Sequence, residues 1–185
     1  MSKTSSDRSG CKPSFSFLFN TKINTVMAFK DSKIVLVGRG GSGKDFMRKK
    51  FEERGFKYCV SYTSRPQREN EKEGKDYFFK DDSFFKNNVH KFYEIDDFNG
   101  WKYGRLIEDF EKASLLIMTP GGIKKIKPEH RKKCFIIFID PDREILRKRL
   151  SERKDADSAE RRLLADDLDF SNFSDYDIRI TNSDF

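Results

Sequence analysis

The chain has 185 residues, of which 36% are hydrophobic and 37% charged, and a net charge of +7. This length fits one domain with a real core, and the basic balance suits anionic partners such as nucleotides. No apolar run is long enough to span a bilayer, and no sequence-reading motif accompanies the positive charge, so membrane and specific nucleic-acid functions are set aside.

Residues 1–30 are rich in Ser, Lys and small polar residues and read as a disordered tail. The run FSFLF at 15–19 is too short for a signal segment, and Met27 stands as an alternative start. Cys11, Cys59 and Cys134 are odd in number and widely spaced, which points to free thiols in a reducing, cytoplasmic setting. His90 and His130 are isolated and read as structural. The folded domain is expected from residue 31. KIVLVG reads as a buried strand, and DFMRKKFEERGF as a helix with Phe46, Met47 and Phe51 inward and Gly55 as its stop. YCVSYT is expected to be the second strand. A polar segment follows and ends in a short aromatic strand.

DDSFFKNNV reads as a short capped helix, and KFYEIDDFNGWKYG as a hairpin turning at Asn99-Gly100. SLLIMT and KCFIIFID are further buried strands. PDREILRKRLSER is a helix with Pro141 in its first turn, and another helix starts at Ser158. DYDIRIT closes the series as a strand. Alternating strands and helices predict an α/β fold: a parallel sheet flanked by helices.

Between the first strand and the first helix lies GRGGSGKD, Gly38 to Asp45. Its glycines let successive backbone N–H groups face one anion, the helix N-terminus adds positive potential, and Lys44 reaches outer phosphates. Such loops normally continue with Ser or Thr, whose hydroxyl sits on magnesium; here Asp45 follows, a hard oxygen ligand that also suits magnesium.

The segment SYTSRPQRENEKEGKDYFF, residues 61–79, presents Arg65, Arg68 and Tyr77 as a cationic fork for a phosphate dianion. It resembles the GMP-binding segment of guanylate kinases, S-x-T-x-R-x-x-R-x-x-E-x-x-G-x-D-Y, matching at Ser61, Thr63, Arg65, Arg68, Glu71, Gly74, Asp76 and Tyr77. FYEIDDFNGWKYGR is similar to the family's acidic segment ending in Y-G, and REILRKRLSER to the helix entering its lid. The resemblance covers about residues 33–183. It implies a P-loop NTPase-type core at 31–60, 112–148 and 158–185, a small mixed monophosphate-binding subdomain at 61–111, and a short lid at about 149–157.

The same resemblance implies ATP binding by Gly38, Arg39, Gly40, Gly41, Ser42, Gly43, Lys44 and Asp45, with Asp45 on Mg2+. It implies GMP or dGMP binding by Ser61, Arg65, Arg68, Tyr77, Glu94, Tyr103 and Thr119. Lys44, Arg149, Arg153 and Arg162 would act on the transferring phosphoryl group, while Arg147, Lys148 and Arg161 would be surface residues. A monomer is expected, with a dimer as the alternative. The chain departs from the family pattern in four places. Asp45 replaces a hydroxyl. Ile117 and Thr119 stand where the family has two aspartates at a strand end. Arg105 stands where it has Ser or Thr. The chain also stops just after the last strand, where the family has a final helix. The first two departures read as one exchange of hydroxyl and carboxylate beside the metal. The competing readings are a non-catalytic guanylate-kinase-like binding module and a deoxynucleotide kinase of other base specificity.

Overall fold

The computed structural model describes residues 32–152 and 158–181. In chain order the elements are β1 (Lys33–Val37), α1 (Lys44–Glu52), β2 (Ser61–Thr63), β3 (Tyr77–Phe79), α2 (Asp82–Asn87), β4 (Phe92–Phe98), β5 (Trp101–Leu106) and α3 (Ile107–Lys112). Then follow β6 (Leu115–Ile117), α4 (Pro120–Lys124), α5 (Pro128–Arg131), β7 (Cys134–Ile139), α6 (Arg143–Ser151), α7 (Ala159–Phe170) and β8 (Ile178–Ile180).

One sheet is wholly parallel, in the order β6-β1-β7-β8. Both of its faces are covered, which is why β1 and β7 read as continuous apolar runs. Val35, Val37, Leu116, Ile136 and Phe138 pack on one face with Phe110 and Phe170. Ile34, Leu36, Leu115, Ile137 and Ile139 pack on the other with Met47 and Phe51. Aromatic rings carry much of this volume; Phe138 stacks on Phe170 at 5.4 Å between centroids. No helix among the described residues is long and apolar enough to cross a membrane.

The second sheet is mixed, in the order β3-β2-β5-β4, with β2 and β3 parallel and the other pairs antiparallel. Its hairpin turns at Asn99 (φ 53) and Gly100 (φ 80), both left-handed, as a two-residue turn of matching twist requires. Asp81 caps α2 by accepting from the Phe84 N–H at 2.9 Å.

Three local expectations are corrected. YCVSYT is not one strand: Tyr58 bridges Leu115 in the parallel sheet, whereas Ser61–Thr63 belongs to the mixed sheet. No glycine or proline punctuates that run, so its change of sheet leaves no mark in the pattern. Phe46 is 42% exposed, while Met47 and Phe51 are buried, because α1 turns only one stripe inward. Pro141 precedes the N-cap residue Asp142 and so lies outside α6. The expected tail at 1–30 falls outside the described residues.

Candidate active site

β1 ends at Val37 deep in the core, and the chain turns at once into the loop 38–43. A Cβ on Gly38 would come within 2.4 Å of the Ile139 carbonyl oxygen, so only glycine admits this approach to β7. Gly43 takes the N-cap of α1 at φ 98, and no side chain caps the helix. Its first-turn N–H groups are therefore available to an anion. Lys44 Nζ donates to the carbonyls of Gly38 (2.7 Å) and Arg39 (2.8 Å), which lays its charge along the loop. Arg149 reaches back from α6 to the Gly41 carbonyl at 3.2 Å. Ser42 is fully buried.

Asp45 is 78% exposed, with its carboxylate 3.8 Å from Arg48. Among the described residues no three His, Cys, Asp or Glu side chains could hold a metal by themselves. Magnesium does not require such a cage. It favours one or two carboxylates together with substrate phosphate oxygens and water. A single accessible carboxylate beside a phosphate loop fits that donor set.

The mixed sheet supplies the opposite wall. Glu71 accepts from both arginines of the expected fork, from Arg65 at 2.6 Å and from Arg68 at 3.4 Å. Arg65 also lies over the Tyr77 ring at 5.4 Å, and Tyr77 meets Tyr103 edge-on at 5.9 Å. Burial opposes the Arg65 charge, but its hydrogen bond to Glu71 and nearby oxygens outweigh this and hold the guanidinium above its ordinary value. Burial raises the Tyr77 phenol well above its own, so it stays a neutral donor at neutral pH.

At the far end, Ser61 and Glu94 are buried, and Glu94 is paired with Arg105 across the β4–β5 ladder. Desolvation raises the Glu94 carboxyl, partly offset by Arg105. Thr119 caps α4 through the Gly122 N–H (3.0 Å) and donates to Asp96 at 2.6 Å. One cleft is lined by Gly38, Gly40, Gly41, Lys44 and Asp45 on one side and by Ser61, Arg65, Arg68, Tyr77, Glu94, Tyr103 and Thr119 on the other. Arg161 and Arg162 reach it from α7.

A model of the family described as guanylate kinase matches residues 30–185. The chain belongs to the guanylate kinase family. It is 30% identical to the guanylate kinase of Mycoplasma genitalium over 90% of this chain and 77% of that protein. It is 31% identical to that of Legionella pneumophila strain Paris over 82% of this chain and 78% of the relative. The crystal structure of guanylate kinase from Anaplasma phagocytophilum superposes with a TM-score of 0.64 at 26% identity, covering 83% of this chain and 77% of that one.

Within this guanylate kinase fold, the Arg39 side chain, expected on ATP, takes a different place: its guanidinium pairs with Asp140 (2.5 Å) and Asp167 (3.2 Å) and lies over Phe170. It pins the loop to β7 and α7. Arg161 is exposed, as expected of a surface residue, and also lines the cleft beside Arg162. Arg153 and most of the expected lid lie outside the described residues. Thr119, the strand-end hydroxyl of the expected exchange, donates to a third residue, Asp96.

Two cleft residues escaped the sequence reading. Asp96 shares a strand face with Glu94, and the alternation of β4 could have found it. Asp166 is 1% exposed on the apolar stripe of α7, where an acid is out of place unless it has partners. It accepts from the Gly40 N–H at 2.7 Å and from Asn99 at 3.0 Å, tying the phosphate loop to the hairpin tip.

Cys59 and Cys134 are buried free thiols, and His130 is held by the Tyr93 hydroxyl at 2.8 Å. Burial pushes the Cys59 thiol up to about 11. Only about one molecule in a thousand then carries the thiolate at pH 8. Native protein treated with iodoacetamide at that pH should leave Cys59 unmodified by peptide mass spectrometry, and unfolding in urea should expose it to complete reaction.

Proposed function

We propose that this guanylate kinase transfers the γ-phosphoryl group of ATP to GMP or dGMP within the cleft between the phosphate loop and the mixed sheet. An oxygen of the acceptor phosphate forms a bond to the γ-phosphorus as the bond to the bridging oxygen of ADP breaks, giving ADP and GDP or dGDP. The carrying observation is that Lys44 of the loop and the Arg65–Arg68–Tyr77–Tyr103 group face one space.

The loop amides and Lys44 hold the ATP phosphates, and Asp45 holds magnesium, which offsets charge on the triphosphate. Arg65, Arg68, Tyr77 and Tyr103 hold the acceptor phosphate, and Glu94 and Ser61 address the base. Arg149, Arg162 and Arg153 offset charge on the phosphoryl group in flight. The chemistry needs no covalent intermediate: positioning and electrostatic stabilisation account for it. Residues 61–111 serve as the acceptor-binding subdomain and 149–157 as a lid that excludes water. A monomer is the working unit of this reading, with a dimer as the alternative, and the buried free thiols Cys59 and Cys134 are in keeping with a reducing cytoplasm.

The test is transfer of label from γ-labelled ATP. Labelled GDP forming from GMP supports the assignment; label released only as inorganic phosphate, or not at all, contradicts it.

A further inference from the structure

Glu94 stands between two side chains that its motif does not assign. Asp96 follows two residues along β4 and shares its face, and Arg105 is its register partner on β5. All three line the cleft. Asp96 is fixed on three sides. Thr119 Oγ1 donates to its Oδ2 at 2.6 Å, and Lys125 Nζ donates to Oδ1 at 2.8 Å. A Cβ on Gly121 would come within 2.3 Å of Oδ1, so glycine there makes room for the carboxylate. Each oxygen retains capacity for a further donor.

Glu94 and Arg105 are 6% and 4% exposed and paired with each other, yet Glu94 Oε2 and Arg105 Nε have no hydrogen-bond partner among the described residues. A buried acceptor and a buried donor left open side by side are costly, and a ligand that satisfies both explains them. Asp96, Glu94 and Arg105 in that order offer acceptor, acceptor, donor. The guanine edge offers the complement: the exocyclic amine and N1–H as donors, then O6 as acceptor. Adenine has no third group there. Cytosine presents a donor and two acceptors, and uracil and thymine alternate.

We propose that Asp96 and Arg105 determine base specificity, Asp96 accepting from the exocyclic amine of guanine and Arg105 donating to O6, with Glu94 between them on N1–H. Thr119 acts through Asp96 as a positioning residue. The proposal rests on the reading of the cleft as a GMP site.

The test compares kcat/KM for GMP, for IMP, which lacks the amine, and for 6-thio-GMP, whose sulfur is a weaker acceptor. Asp96→Ala should lower the preference for GMP over IMP about tenfold and leave the preference over 6-thio-GMP unchanged. Arg105→Lys keeps a cation beside Glu94 but lacks the second N–H face, and should do the reverse. Asp96→Leu, close in volume and without an acceptor, carries the same comparison should the alanine variant melt below the assay temperature. Preferences equal to wild type in either variant, or both preferences falling together in each, would overturn the proposal. A wild type that turns over no GMP would sink the kinase reading alone; calorimetric binding of the same nucleotides then decides the base contacts.

Discussion

Lys44→Met is expected to lower kcat about 10²–10³-fold with the fold and the affinity for GMP intact. The ammonium of Lys44 is held by two loop carbonyls at 2.7 and 2.8 Å, so it enters the reaction already positioned. Its contribution grows as charge spreads over the transferring phosphoryl group, and an interaction stronger in the transition state than in the ground state shows in kcat. Met keeps the length and the apolar stem without the charge. Steady-state kinetics with a thermal melt as control make the measurement. A loss below about tenfold would mean that Lys44 supplies only ground-state binding or none.

Arg65→Ala should raise KM for GMP about 100-fold and leave KM for ATP within about twofold. Arg65 is 8% exposed and anchored by Glu71 at 2.6 Å, so its guanidinium is placed before the acceptor arrives. A fixed planar cation meets a phosphate dianion at little entropic cost, which is where preorganisation helps most. The substitution also removes the closer of the two arginine partners of Glu71, leaving that acid less neutralised beside the phosphate and adding to the loss. Equal changes in both Michaelis constants would place Arg65 in the framework of the fold and not in the acceptor site.

The phosphate loop and the fork were legible because their chemistry is local: glycine spacing and two arginines three residues apart state their purpose within one segment. The Asn99-Gly100 turn was legible for the same reason, since few other pairs accept two left-handed residues. The base end of the cleft was not. Its order of acceptors and donor depends on the register that sets Glu94 opposite Arg105, and on Thr119 reaching Asp96 across 23 positions of sequence. Arg39 misled for a related reason: its partners Asp140 and Asp167 lie more than a hundred residues away, and a loop arginine next to glycines reads as a phosphate ligand until they are in place. Asp166 left only the faint sign of an acid on an apolar stripe.

The cleft carries Asp45 in its loop and no aspartates at the end of β6, and is expected to work as a guanine-selective kinase. A coupled ADP-release assay with ATP and Mg2+ tests it directly, against GMP, dGMP, AMP, dTMP, dCMP and UMP in turn. Turnover with GMP or dGMP is expected at least about 100-fold above that with every other acceptor. Comparable turnover on several bases, or none from folded protein that binds GMP, would contradict it.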